Sequence, residues 1–229
     1  MCSHYESVKI PARLKQYFGA AFETPAFSAD LWPKRQGLFV RRPPELNAGD
    51  DAVPDREAVL GRWGLISART SADGMAKAEK LSTFNARSET ASRSFTFGNA
   101  WQRAQHCIIP AEAVFEPDWR SGRAVPTRFS HVDGVPLGIA GLWDKFRDTA
   151  GQWHESYTML TINADQHPLF REYHRTGEEK RMVVILPAGA YGEWLAAGAD
   201  DTRAFLHSFP ADHLLAQAMI PAAGSSSLF

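Results

Sequence analysis

Arg181–Leu186, RMVVIL, carries five apolar residues in a row, three of them β-branched. A charged run, HRTGEEK (174–180), precedes it and Pro187 follows. So short an apolar run, bounded by breakers and rich in β-branched residues, reads as a buried strand. The same character recurs upstream at Tyr157–Ile162, Leu137–Trp143, Arg128–His131 and Cys107–Phe115, the last broken by Pro110. Further strands are expected at Val59–Ile66 (VLGRWGLI) and Gly37–Arg41 (GLFVR). Between them lie short helical stretches: residues 8–20, closed by Gly19, then Ala72–Leu81, Ser94–Gln105 and a late helix at Gly192–Ala197. RRPP (41–44) and NAGDD (47–51) read as loop, and the tail AGSSSLF as loose. No repeat or linker interrupts this pattern. Short strands mixed with short helices predict one α+β domain over residues 1–229, built on a mixed or antiparallel sheet.

The composition fits that reading. In 229 residues, 44% are hydrophobic and 22% charged, enough to bury a core. The net charge of -1 gives no global basic field, so any nucleic acid must be met by local charge over a short footprint. Cys2 and Cys107 make no disulfide framework, and no CxxC supports a structural zinc site. The start, MCSHYESVKIPARLKQ, lacks the apolar core of a signal peptide, and no apolar run approaches the ~18 residues of a membrane span. A reduced, cytoplasmic protein is expected. Cys107 reads as a small core residue.

Several residues have chemistry to offer. Removal of Met1 exposes Cys2 as a residue with both an α-amine and a thiol. Free α-amines titrate near ~8 and thiols near ~8.5, so both reactive forms exist at neutral pH. A 1,2-aminothiol condenses with an aldehyde to an imine and closes to a thiazolidine. Its thiolate is alternatively a nucleophile toward a carbonyl. NARSET (85–90) offers the amide of Asn85 and the guanidinium of Arg87, the latter suited to phosphate. The same stretch also reads as a polar loop capping a helix. Glu116 closes an apolar strand, where desolvation raises a carboxyl toward the range of acid–base catalysis. His174, in YHRTGEEKRM, is a natural proton shuttle, although the run also reads as a solvated turn.

The order of these segments is more specific than any one of them. Cys2, RWGL (62–65), NAR-x-ET (85–90), CIIPA…FE (107–116), AGLW (140–143), T-x-x-A (161–164) and RM-x-VIL (181–186) follow one another. Together they resemble the SOS response-associated peptidase (SRAP) family, from Cys2 to about Leu195. The resemblance implies a sheet-rich, barrel-like core ringed by short helices. It implies an abasic-site sensor that binds single-stranded DNA and forms a thiazolidine crosslink through Cys2. It also implies autocatalytic release of residues before that cysteine, hence the peptidase name. Carried over by motif, Cys2 is the nucleophile, Asn85 positions the sugar or the Cys2 terminus, and Glu116 is the acid–base group. Arg87 holds DNA phosphate, assisted by Arg62 or Arg69. No metal or cofactor is implied. The expected form is a monomer, nucleoid-associated, of bacterial or phage origin.

The chain departs from the family at four places. Cys-Gly-Arg at the start becomes Cys2-Ser3-His4, which puts His4 where a basic residue would meet phosphate. RWGL-[IV]-P-x-W becomes RWGLISART, and YEW becomes FEP, so aromatic surfaces that stack bases are missing. His-x-Arg-Met-Pro becomes Glu179-Lys180-Arg181-Met182-Val183. His174 lies five positions before that slot, and a longer turn eased by Gly177 is expected to return it there. Glu179 itself is the alternative occupant. Two other classes fit parts of the pattern: an N-terminal-nucleophile peptidase or amidohydrolase using Cys2, and a non-covalent single-strand binder. A metal enzyme built on His4, His106, His131 and His174 has no ligand spacing behind it.

Overall fold

Five strands close on themselves in the computed structural model, which describes residues 2–23, 27–48, 53–175 and 177–219. In chain order the strands are β1 (His4–Ser7), β2 (Asp30–Leu31), β3 (Gln36–Arg41), β4 (Glu57–Trp63), β5 (Asn85–Arg87), β6 (His106–Asp118), β7 (Val125–His131), β8 (Leu137–Arg147), β9 (Trp153–Asn163), β10 (Arg181–Val183), β11 (Ile185–Leu186) and β12 (Leu214–Ala218). The helices are α1 (Pro11–Phe18), α2 (Met75–Ala78), α3 (Ser88–Ala91), α4 (Gly98–Gln102) and α5 (Tyr191–Ala196). The barrel runs β3–β4–β9–β8–β6 and back to β3. All its pairings are antiparallel except β4 with β9. The α+β, barrel-like expectation holds.

The near-continuous apolar runs of β6 and β8 follow from burial on both faces. Inside, Tyr5, Phe39, Trp63 and Tyr157 are fully buried. The Tyr5 and Tyr157 hydroxyls meet at 2.6 Å, and Trp63 packs edge-on against Tyr5. Outside, α5 lies on β6, where Trp194 Nε1 donates to the Cys107 carbonyl at 2.8 Å. Phe18 of α1 stacks on Tyr191 of α5. Each large apolar side chain buried this way contributes about 1.5–3 kcal/mol.

β6 is the element that places the site. Its first half pairs with β8 inside the barrel (Cys107↔Gly141, Ile109↔Ile139). Its second half leaves the barrel between β1 and β7 (Phe115↔His4, Phe115↔Arg128). The expected break at Pro110 does not occur. One residue's N–H and C=O point to the same neighbouring strand. The Pro110 carbonyl accepts from Val8 N at 3.3 Å, so the missing N–H faces the end of β1, where the register shifts at Glu6/Ser7, and not β8.

Other boundaries move for local reasons. The 8–20 helix is α1, with Pro11 in its first turn and Gly19 at φ 68° closing it. The 59–66 strand begins at Glu57 and stops at Trp63, because Gly64 takes φ 129°. The 72–81 helix shrinks to a 3-10 turn (Ala72–Gly74) and α2, capped by Ser71. The 94–105 helix shrinks to α4, because Ser94 Oγ accepts from the amides of Thr96 and Phe97 and forms a turn instead. NARSET is not a capping loop: Asn85–Arg87 is a strand parallel to β9, followed by α3 with no side-chain cap. RMVVIL splits at Val184, where the chain steps from β9 to β8. β1, β2 and β12 were not foreseen. In the RRPP loop a 3-10 turn begins at Pro44. Residues 49–51 and the tail lie outside the described residues. No helix among the described residues is long and apolar enough to cross a membrane.

Candidate active site

Where β6 leaves the barrel, β1 lies antiparallel beside it and brings Cys2 next to Glu116. Cys2 is buried, and its thiol donates to the His4 carbonyl at 3.3 Å. Burial pushes that thiol up to about 12, and the nearby Glu116 carboxylate adds to the effect. Asn85 Nδ2, at the start of β5, donates to the Cys2 carbonyl at 2.6 Å. The amide thus ties the N-terminal strand to the strand at the barrel's edge, 83 residues away.

Glu116 is buried, and burial raises its carboxyl to about 7. His174 Nε2 stands 3.4 Å from Glu116 Oε2 and 3.1 Å from the Arg181 carbonyl. A carbonyl only accepts, so it holds the neutral ring in its Nε2–H form. Burial lowers the imidazole to about 4. Burial thus keeps a protonated carboxyl available near neutral pH, facing a neutral imidazole. His174 sits in the left-handed region at φ 66°. That conformation costs about 1 kcal/mol or more and persists where surroundings over-determine it. Here its N–H donates to the Pro117 carbonyl at 3.0 Å, and its own carbonyl accepts from Lys180 Nζ at 3.1 Å. Gly177, at φ 83°, turns the chain back toward β10.

The Arg181 guanidinium, although buried, is nearly surrounded by acceptors. It donates to both oxygens of Glu89 at 2.8 and 3.0 Å, to Glu179 at 2.8 Å, and to Thr161 O and Oγ1 at 2.8 and 3.1 Å. Three sequence motifs meet at this one group: NAR-x-ET through Glu89, T-x-x-A through Thr161, and RM through Arg181 itself. Sequence reasoning placed these residues in motifs without assigning them work. The signal was the pairing of an acid in one motif with a base in another.

The predicted residues fall into two groups. Cys2, Asn85, Glu116 and His174 come together. Arg87 shares the face of β5 with Asn85, two residues on, and is half exposed, with Nη1 2.6 Å from Glu179 Oε2. His4 is sandwiched between Trp32 and Phe115, with ring centroids at 4.3 and 4.0 Å, and bonds Asp30. Arg62 and Arg69 stand apart. The Arg62 guanidinium donates to the Gly64 and Glu79 carbonyls, and burial lowers its pKa. Arg69 lies on another cleft with Lys77 and Phe95. Glu179 does not meet Glu116 through any hydrogen bond or ion pair among the described residues. Arg181, Asn163 and Arg87 engage it and lower its carboxyl to about 2. The described residues include no group of three or more His, Cys, Asp and Glu arranged to hold a metal.

Residues 1–223 match the family described as SOS response associated peptidase (SRAP). Among solved structures, a Bordetella bronchiseptica protein is 57% identical, with a TM-score of 0.89 over 96% of this chain and 100% of that one. A Bacteroides thetaiotaomicron protein is 18% identical, with a TM-score of 0.78 over 96% and 93%. A phage-related protein from Bordetella bronchiseptica is also 18% identical, with a TM-score of 0.66 over 98% and 97%. These last two share the fold. No curated protein matches the chain.

Proposed function

Because the chain belongs to the SOS response-associated peptidase family, we propose that it captures abasic sites in single-stranded DNA as a covalent crosslink through Cys2. The observation that carries this reading is the convergence of four groups. Asn85 fixes the Cys2 carbonyl, Glu116 lies beside the thiol, and His174 backs Glu116. After Met1 is removed, the free-base amine of Cys2 attacks the aldehyde carbon of the ring-opened sugar. Glu116, as the acid, gives a proton to the carbinolamine oxygen, and water leaves the resulting imine. The thiol adds to the imine carbon. Its proton passes to the Glu116 carboxylate, and the ring nitrogen takes up the remaining one. Amine, aldehyde and thiol become thiazolidine plus one water. His174, its Nε2–H engaged by the Arg181 carbonyl, stands 3.4 Å from Glu116 and fixes where that carboxyl lies. Asn85 holds the terminus. Arg87, and His4 with half-exposed Trp32 stacked on it, meet the DNA on either side.

The raised thiol favours an order of events. A thiolate-first hydrolase needs a lowered cysteine pKa, whereas burial here raises it. The amine therefore acts first and the thiol closes the ring. Release of residues before Cys2 is the second activity: water adds to the carbonyl preceding Cys2, giving up a proton to the Glu116 carboxylate, and Glu116 returns that proton to the departing Cys2 amine as the preceding residue leaves with a free carboxyl. The test is mass spectrometry of processed protein mixed with single-stranded DNA bearing one abasic site. The expected species lacks Met1, survives denaturation and carries the DNA mass, less one water, on Cys2. Cys2→Ala should abolish it. An undiminished adduct in that variant, or none from processed wild type, overturns the proposal. The latter, with salt-sensitive binding indifferent to the lesion, would leave a binding module.

A further inference from the structure

The other end of β6 carries a second cleft. It has a volume of about 370 Å³ and is lined by Arg42, Pro43, Arg103, Gln105, His106 and Trp143, with no acidic residue in its wall. Glu116 lies ten residues along the strand from His106, roughly 33 Å away at strand rise. The cleft is thus separate from the Cys2 site. Two features are unusual for a structural corner. Gln105 is buried, yet neither its amide nitrogen nor its amide oxygen has a hydrogen-bond partner among the described residues. An apolar residue of the same size would fill that space without leaving an amide unsatisfied. Beside it, His106 Nε2 bonds Thr202 Oγ1 at 2.9 Å, while the Thr202 hydroxyl donates to the Gly198 carbonyl. The backbone carbonyls of Trp194 and Ala197 also act on the ring, which holds it at the edge of the cleft. No ion pair among the described residues engages Arg42 or Arg103.

These groups define a ligand by what they lack. The amide asks for one donor and one acceptor, and the two guanidiniums for an anion. Inorganic phosphate answers the guanidiniums but brings few donors. A nucleoside monophosphate answers both, since its base edge donates and accepts and its phosphate is anionic. We infer that this cleft is a nucleotide-binding site, with Arg42 and Arg103 on the phosphate and Gln105 and His106 toward the base. The same chemistry is carried by free nucleotide and by one unit of a DNA strand.

Calorimetric titration of the full chain with adenosine monophosphate, inorganic phosphate and an oligothymidylate separates the sources. Expected is saturable binding of the mononucleotide or the oligonucleotide at least tenfold tighter than of inorganic phosphate. Tightest binding of the mononucleotide identifies free nucleotide, and of the oligonucleotide a second DNA contact. To keep the Cys2 site out of the reading, the oligonucleotide contains no abasic site and each titration is repeated with Cys2→Ala. Arg103→Ala and Arg42→Ala should each weaken binding about tenfold, the loss of one charge-assisted contact. Gln105→Leu should weaken binding and raise the melting temperature together, which a misfolded variant cannot do. No saturable binding of either nucleotide up to millimolar concentration, or binding unchanged in all three cleft variants, overturns the inference. Neither result bears on crosslinking at Cys2.

Discussion

Glu116 and His174 set the pH behaviour of the proposed chemistry. The attacking amine must be free, which favours pH above ~8. Glu116 must carry a proton to release water, which favours pH below about 7. The crosslinking rate should therefore pass through a maximum between the two. Glu116→Gln should be slower by about 100-fold, the lower end of what a positioned acid–base group supplies, and should lose the alkaline fall. A variant profile that still falls above pH 8 would contradict this role. The same two groups act on stability with opposite signs. The Glu116 pKa is raised on folding, so its contribution is present below its unfolded value near 4.5 and lost as pH rises through about 7. The His174 pKa is lowered, so folding is favoured above 6.5 and that gain is lost as pH falls toward about 4. Between about 4.5 and 6.5 the slopes cancel. Urea unfolding across that window should show Glu116→Gln gaining stability with rising pH, by up to about 1.4 kcal/mol per unit relative to wild type. A flat difference between the two proteins would refute the assignment.

Short elements carry more of this site than their length suggests. α3 delivers Glu89 to Arg181, and the carbonyl of Arg181 holds His174. Removing one partner of a buried cation is costly, but here Glu89 is half exposed and Glu179 and Thr161 remain. Glu89→Ala should therefore cost only about 1–2 kcal/mol in denaturant unfolding. It should slow crosslinking more than that loss explains, because His174 loses its anchor. Arg181→Lys should not restore the rate, since an ammonium cannot make the two parallel bonds to Glu89. A fully active Arg181→Lys would show that charge alone suffices. At the end of α4 the chain makes a Schellman turn. Gln105 N donates to Ala100 O, and Ala104 N to Trp101 O. Glycine usually occupies the left-handed position of that turn, but here it is Ala104, at φ 50°. Ala104→Gly should raise stability by about 1 kcal/mol, read as a rise in melting temperature. No change would mean the turn tolerates the Cβ.

At the scale of the molecule, the sequence revealed the strands that are apolar on both faces and hid those that are not. CIIPAEAVF, LGIAGLW, YTMLTI and RMVVIL stand out because barrel wall and outer layer bury them from two sides. HYES, DL, LLAQA and NAR are too short and mixed to rise above the loops, since their partners, and not their composition, make them strands. The same limit applies to the site. Cys2, Asn85, Glu116 and His174 were named through the order of the family's motifs, since each alone reads as readily as a terminus, a loop, a strand end or a turn. The Glu89–Arg181–Thr161 junction was not, because a buried ion pair is a property of two distant segments. Barrel closure was legible only through the family resemblance, and one residue shows what closure demands. Gly37 on β3 faces the Tyr5–Tyr157 hydroxyl pair across the interior. A Cβ there would collide with the Tyr157 hydroxyl, and would lie 2.6 Å from Leu31 Cδ1 and 2.8 Å from the Tyr5 hydroxyl. All three neighbours are fully buried and have little room to give. Gly37→Ala should lower stability by about 1–3 kcal/mol, or a melting-temperature fall of about 2–4 °C per kcal/mol for a chain of this size. Because the clash is chiefly with one oxygen, Tyr157→Phe should cost less in the Gly37→Ala background than alone. A double-mutant cycle measures that difference directly. Strict additivity would mean the barrel opens at β3 to admit the methyl, and that Gly37 serves the backbone and not the interior.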